Sequence, residues 1–317
     1  MLDQITSLVL AALNLDEIRN DAKFSANLSR ELEHIRAKTY DIVYPEMKAR
    51  QFIPVDNSVP SGALTVTYRQ WDLIGMAKLI HDYADDLPMF DALVEEFTSP
   101  VRSYGGKYGY SIQDLRAAAM SGSQLPARLA RAARRGMEQL VESVACFGNT
   151  KAGLGGFAKN ANVSLVSVVN GTWATATGAE MIEDMNKLVN DLVIANKETF
   201  APDTILLDVE LYTLFSSTRI STTGDTHTTA MQAFLASSPH IKNIFSWNQL
   251  ALADAAGTGP RAICYKRDPE VLELVIPQEY EELPPQPCGL KFEIPCHGRI
   301  GGVVIYYPLA VAYMDGL

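Results

Sequence analysis

Several things are scarce in this chain, and each scarcity closes off a class of function. There are only four cysteines, at positions 146, 264, 288 and 296, with no CxxC spacing. That argues against a disulfide framework or a cysteine-built metal site and for a reducing compartment. Cys146 lies near the apolar face of a helix, where a free buried thiol is the simpler reading. The five histidines form no HExxH or other ligand spacing. Positive charge is short: 27 Lys and Arg against 37 Asp and Glu give a net charge of -10. The chain as a whole therefore lacks the positive footprint of a nucleic-acid binder, although local basic patches remain open. No apolar run reaches membrane-spanning length. The N-terminus, MLDQITSLVLAALNLDE, carries an acid where a signal peptide carries basic residues, so a cytoplasmic origin is expected. Internal repeats and low-complexity tracts are absent.

What is present is an ordinary globular composition, with 47% hydrophobic and 20% charged residues over 317 positions. That is enough for one large or two modest domains. The clearest local signal is a helix over about 125–147. Leu129, Ala133, Met137, Leu140, Val144 and Phe147 recur at helical spacing and predict one buried face. Ser121 and Ser123 offer N-caps, Pro126 fits the first turn, and Gly148 stands at the C-cap position. Such a helix would be about 33 Å long. Arg128, Arg131, Arg134 and Arg135, then Glu138 and Glu142, fall on the opposite face. Arginine near a helix N-terminus opposes the dipole, so the charge order is not locally favoured. Three uses for those arginines stay open: a solvated face, contact with nucleic acid, or a docking site for an acidic surface.

Residues 1–20 and 25–40 have helical patterns, and 44–60, with Pro45, Pro54 and Pro60, reads as an extended arm. Residues 63–70 and 97–110 are strand-like and flank an acidic excursion holding Asp82, Asp85, Asp86, Asp91, Glu95 and Glu96. Together they predict a projecting hairpin, and a long two-stranded ribbon has little core of its own and needs a partner surface. After the long helix come a short strand over 163–169, a helix over 179–197, a buried strand over 204–209 and helices over 210–217 and 228–237. Further strands are expected within 240–246 and over 262–265, 272–276, 290–295 and 302–307, with 279–288 as a polar, proline-rich connection. The order is that of an α+β protein.

No catalytic constellation assembles. The GLGG cluster at 153–156 lacks the Lys-Ser/Thr pair of a phosphate loop and precedes a strand, so a backbone turn explains it better than a nucleotide site. Asp225 and His227 share a Thr-rich loop without metal spacing. Cys296 and His297 are adjacent on a strand, where neighbours point to opposite faces, which argues against a nucleophile pair. The acidic tract lacks the ligand offsets and turn glycine of a calcium loop, which leaves a solvated or partner-facing surface. Catalytic, cofactor and metal residues are accordingly expected to be none.

The succession of segments resembles the major capsid proteins of tailed bacteriophages, whose Hong-Kong-97-type fold is shared with encapsulin shells. The likeness rests on the proline-containing arm, the hairpin, SIQDLRAAAMSGSQLPARLARAARRGMEQLVESVACFG, the GLGGF turn at 153–157, DTILLDVELYTLF, FLASSPHIKNIFSWNQL, RDPEVLELVIP and GRIGGVVIYYPLAVAYMDGL. It spans nearly the whole chain from about residue 35. As a departure from the family pattern, no long helical scaffolding-type domain is expected before the arm. The lysine–asparagine cross-link of some members has no assignable residues here; Lys78 and Lys107 are merely lysines in or near the flap.

The resemblance implies an α+β capsid fold with an N-terminal arm over 1–55 and an extended E-loop hairpin over 56–111. It further implies a P-domain with the spine helix over 112–160 and return strands about 268–300, and an A-domain over 161–267 with a C-terminal strand about 301–317. It implies a structural protein, not an enzyme, that assembles as hexamers and pentamers into the icosahedral head enclosing phage double-stranded DNA. Copies of itself are the expected partners, with weak non-specific contact to DNA, possible scaffolding, portal and decoration proteins, and no membrane. The expected location is the virion capsid, assembled in the host cytoplasm. Asp82, Asp85, Asp86 and Glu95 on the flap, and Arg128, Arg131, Arg134 and Arg135 on the helix, are the expected inter-subunit or genome contacts. Alternatives are an encapsulin-type nanocompartment shell and a soluble α+β hydrolase with a dispersed site. The arm, the proline-rich connection at 283–287 and the length favour the virion.

Overall fold

A computed structural model describes residues 44–75, 89–121, 125–220, 227–257 and 259–317, and the architecture lies in the unit Glu46–Leu317. In chain order its elements are α1 (Ala49–Phe52), β1 (Val55–Asp56), β2 (Thr65–Ile74), β3 (Asp91–Pro100), β4 (Arg102–Ser111), α2 (Ile112–Ser121), α3 (Leu125–Phe147) and β5 (Ser164–Ser167). These are followed by α4 (Gly178–Ala195), β6 (Thr204–Leu207), α5 (Val209–Ser217), α6 (Ala230–Ser237), β7 (Asn243–Ser246), β8 (Arg261–Tyr265) and β9 (Leu272–Val275). The last are β10 (Gln278–Glu282), β11 (Gln286–Cys288), β12 (Lys291–Ile300), β13 (Gly302–Ile305) and β14 (Val311–Asp315). The predicted helices over 1–20 and 25–40 lie outside the described residues.

A five-stranded sheet, β5-β14-β8-β6-β7, mixes parallel and antiparallel pairs, and the near-terminal β14 is an inner strand of it. β6 and β8 are buried at every position and apolar except for Thr204 and Arg261 at their starts, so they show no apolar–polar alternation. Over this sheet Met181, Met185, Leu188 and Leu192 of α4, with Trp173, Phe215 and Phe234, close one core. The start of α4 is fixed by a reciprocal capping box between Thr177 and Glu180, which also holds the Glu180 carboxyl below its ordinary range.

The second core gathers under α3. Val141, Val144 and Ala145 pack with Phe52, Phe157, Trp247, Tyr265, Leu274 and Ile300. α3 spans the residues its periodicity predicts, but its buried face is rotated from the expected one. Leu140 is 43% exposed, while Glu142, expected on the solvent face, is only 4% exposed. The caps proposed at Ser121 and Ser123 lie where no side chain is described. Gly148 ends the helix with φ +70°, and a Cβ at Gly156 would collide with the backbone of Phe147 and Gly148. The glycine cluster thus lets two backbones touch, as the turn reading requires.

Two strand expectations need correction. The segment 97–110 is not one strand. Residues up to Pro100 pair with β2, Val101 is buried and donates its N–H to Leu64, and β4 then runs beside β12 for its full length. The expected connection over 279–288 contains β10 and β11, which together line the other edge of β12. Their prolines are tolerated because β11 is an edge strand and the Pro-Pro step falls between the two.

Candidate assembly surfaces

β2 and β3 form an isolated two-stranded ribbon with ten paired positions, Thr65 opposite Pro100 through Ile74 opposite Asp91. Alternation sorts these positions onto two faces. One carries Tyr68, Phe97, Gln70, Glu95, Asp72 and Leu93. At its base Tyr68 stacks on Phe97 and meets Tyr306 edge-on, 4.8 Å between centroids, which anchors the ribbon to the body. The other face holds the Thr67–Thr98 hydroxyl contact and the Arg69–Glu96 ion pair, then Trp71, Val94, Leu73 and Ala92. Beyond its base the ribbon has no cover. Trp71 is 61% exposed, Leu73 81%, Met89 92% and Phe90 69%. Glu95 is exposed opposite Gln70, while Asp82, Asp85 and Asp86 lie outside the described residues.

On α3, Arg128, Arg131 and Arg134 are exposed, and none makes an ion pair with a described residue; Arg135 is half-buried. No acidic residue occupies the first turn to offset their charge against the dipole. The chain does not bring Glu95 into an ion pair with these three arginines.

The acids farther along α3 do something else. Glu142 accepts from the backbone N–H groups of Lys48 and Ala49, at 3.1 and 2.8 Å, and from Trp247 Nε1 at 2.6 Å. A buried carboxylate thereby holds the start of α1 to the long helix, with its charge met by three donors. Glu138 pairs with Arg50, which also forks onto Glu279 of β10 at 2.7 and 2.9 Å. Burial, joined by the charges of Glu138 and Glu279, pushes the nearby Tyr104 hydroxyl up to about 12. α1, α3, β4 and β10 are therefore joined by one polar seam. Sequence reasoning missed Glu142, although Ala145 and Cys146 at i+3 and i+4 were available as a sign that its side of the helix is apolar.

Between β4 and β12 the ladder is reinforced by Glu293, which accepts from Lys107 at 2.8 Å and Lys291 at 2.6 Å. These two ammonium groups, Lys107 first, hold the Glu293 carboxyl down to about 2. Cys296 points inward and His297 is half-exposed, on opposite faces of β12. Cys146 and Cys264 are buried thiols whose titration is driven upward by desolvation. Among the described residues no group of three His, Cys, Asp or Glu side chains is placed to hold a metal ion. No helix among them is long and apolar enough to cross a membrane.

The family model for the major capsid protein matches residues 75–317, which is most of the chain. The chain belongs to the major capsid protein family. Among solved structures it is similar to the capsid of Myoviridae phage XM1, with TM-score 0.80 and 16% identity over 91% of this chain and 98% of that one. It is similar also to Mycobacterium phage Adephagia, with TM-score 0.63 and 12% identity over 89% and 95%. A virus-like particle from Pyrococcus furiosus matches with TM-score 0.52 and 14% identity over 84% and 91%. No curated protein matches the sequence at a significant level. The fold is of the Hong-Kong-97 type, and the chain is a major capsid protein. The expected α+β capsid class is borne out.

Proposed function

We propose that this capsid protein builds the phage head as hexamers and pentamers in which each flap lies over a neighbouring subunit. The observation that carries this reading is the ribbon itself. Trp71 and Leu73 on β2, and Met89 and Phe90 just before β3, are exposed with no core beneath them. Fully burying such a side chain is worth about 1.5–3 kcal/mol, so a neighbour's surface supplies the core that the ribbon lacks.

On this reading residues 56–111 act as the E-loop and 112–160 with about 268–300 as the P-domain. Residues 161–267 with about 301–317 act as the A-domain. The arm over 1–55 clasps another neighbour. The role is structural rather than enzymatic. The exposed arginines of α3 meet an acidic neighbour or, weakly and without sequence preference, packaged double-stranded DNA, whose retention a net charge of -10 keeps loose. Scaffolding, portal and decoration proteins are further partners, and assembly takes place in the host cytoplasm.

The test is charge reversal on the flap. Asp85→Lys, Asp86→Lys and Glu95→Lys together are expected to leave the subunit folded, to lower particle yield, and to flatten the salt dependence of assembly, because exposed charge pairs are screened by salt. Normal yield with normal salt dependence in that variant would reduce the acidic tract to a solvated face.

A further inference from the structure

A cleft of about 430 Å³ opens where α1 meets β7 and α5. Phe52 and Phe245 form its apolar floor, their ring centroids 5.6 Å apart. Tyr212 and Ser246 add hydroxyls, and Lys48 and Arg267 stand at its wall. Neither cationic side chain makes an ion pair with a described residue, so the cleft combines an aromatic base with two unspent positive charges. Asp203, the nearby acid, is already occupied by the backbone N–H of Arg267 and the hydroxyl of Thr204. The chemistry suits a peptide with acidic side chains next to large apolar ones.

The same chain carries such a peptide. The flap sequence D-Y-A-D-D-L-P-M-F over 82–90 places Asp82, Asp85 and Asp86 just before Met89 and Phe90, two exposed large apolar side chains at the ribbon's end. From Tyr68, which meets Tyr306, six residues of β2 carry that end about 20 Å outward. We propose that the cleft receives the flap tip of a second copy, acidic groups against Lys48 and Arg267, Met89 and Phe90 against Phe52 and Phe245. This rests on the flap-over-neighbour reading and names its receptor. The exposed arginines of α3 make a poorer receptor, because among the described side chains of α3 itself Leu140 alone is large, apolar and exposed.

Two experiments carry the test, both read against unsubstituted particles. First, Lys48→Glu with Arg267→Glu should lower particle yield at least ten-fold, and adding Asp85→Lys with Asp86→Lys should recover most of it. Second, in a Cys288→Ser background, which removes the exposed thiol, Met89→Cys with Ser246→Cys should give a covalent ladder of subunits on oxidation. The second variant keeps both cations, so it decides the matter if the charge-reversed chain fails to fold. Undiminished assembly of the Lys48→Glu, Arg267→Glu chain, or a link formed only within one chain, would overturn the proposal while leaving the shell reading intact. A ladder obtained instead from Met89→Cys with Arg131→Cys would move the receptor to α3 and overturn it too. Failure of the unsubstituted chain to form particles would remove the shell reading and this proposal together.

Discussion

Glu142 shows how much one side chain can decide. It lies within the apolar side of α3, yet three donors from two other parts of the chain converge on it. Glu142→Ala strands those donors and is expected to destabilise the subunit by about 2–5 kcal/mol. Glu142→Gln should cost less, since one oxygen still accepts; the urea midpoint of the unassembled subunit measures both. Glu293 offers a second test at this scale. Its carboxyl sits near 2 instead of its ordinary 4.5 because Lys107 and Lys291 stabilise the charged form. A depressed carboxylate contributes stability that is fully present above the unfolded value and is lost as pH falls through the folded one, here between about 4.5 and about 2. Carboxyl NMR titration should find this value, and Lys107→Met with Lys291→Met should return it toward 4.5. A titration near 4.5 in the unsubstituted protein would show that the pairs do not persist in solution. The long-range partners of these carboxylates lie 94 and 186 residues away and could not be read from the sequence, whereas Lys291, two residues from Glu293, is a local partner.

Among the elements, legibility followed the range of the interactions that specify them. α3 was readable to its ends because 23 consecutive residues repeat a local pattern and a glycine closes it. The break at Val101 was not readable. Both sides of it alternate in the same way, and only the distant β12 draws residues 102–111 off the ribbon. Prolines concealed β10 and β11 for a related reason: an edge strand can lack donors on its outer side. The rotation of the α3 face, exposing Leu140 and burying Glu142, likewise depends on α1 and Trp247 rather than on the helix alone. The ribbon's need for a partner was legible, since strand pattern and acidic content together marked an element without a core. Trp71→Ser with Leu73→Ser should therefore leave the thermal midpoint of the isolated subunit within about 2 °C, because exposed positions seldom shift stability by more than about 0.5 kcal/mol. Particle yield should fall in the same variant. A large loss of subunit stability without loss of assembly would mean that the ribbon serves its own chain.

For the whole molecule, two cores lie within the unit Glu46–Leu317, while among the described residues the ribbon leaves large apolar side chains exposed and α3 presents the exposed Arg128, Arg131 and Arg134. Closed shells repeat one surface in slightly different surroundings, which favours projecting and polar contacts over a single rigid apolar interface. That explains why the acidic and basic surfaces lie on separate elements of one acidic chain. The most direct measurement is size-exclusion chromatography of the purified full-length chain with negative-stain microscopy of the leading fraction, across salt concentrations and with co-expressed scaffolding candidates. Closed isometric particles built from hexamers and pentamers are the expected result. A compact monomer or dimer that never assembles under any of these conditions would contradict it.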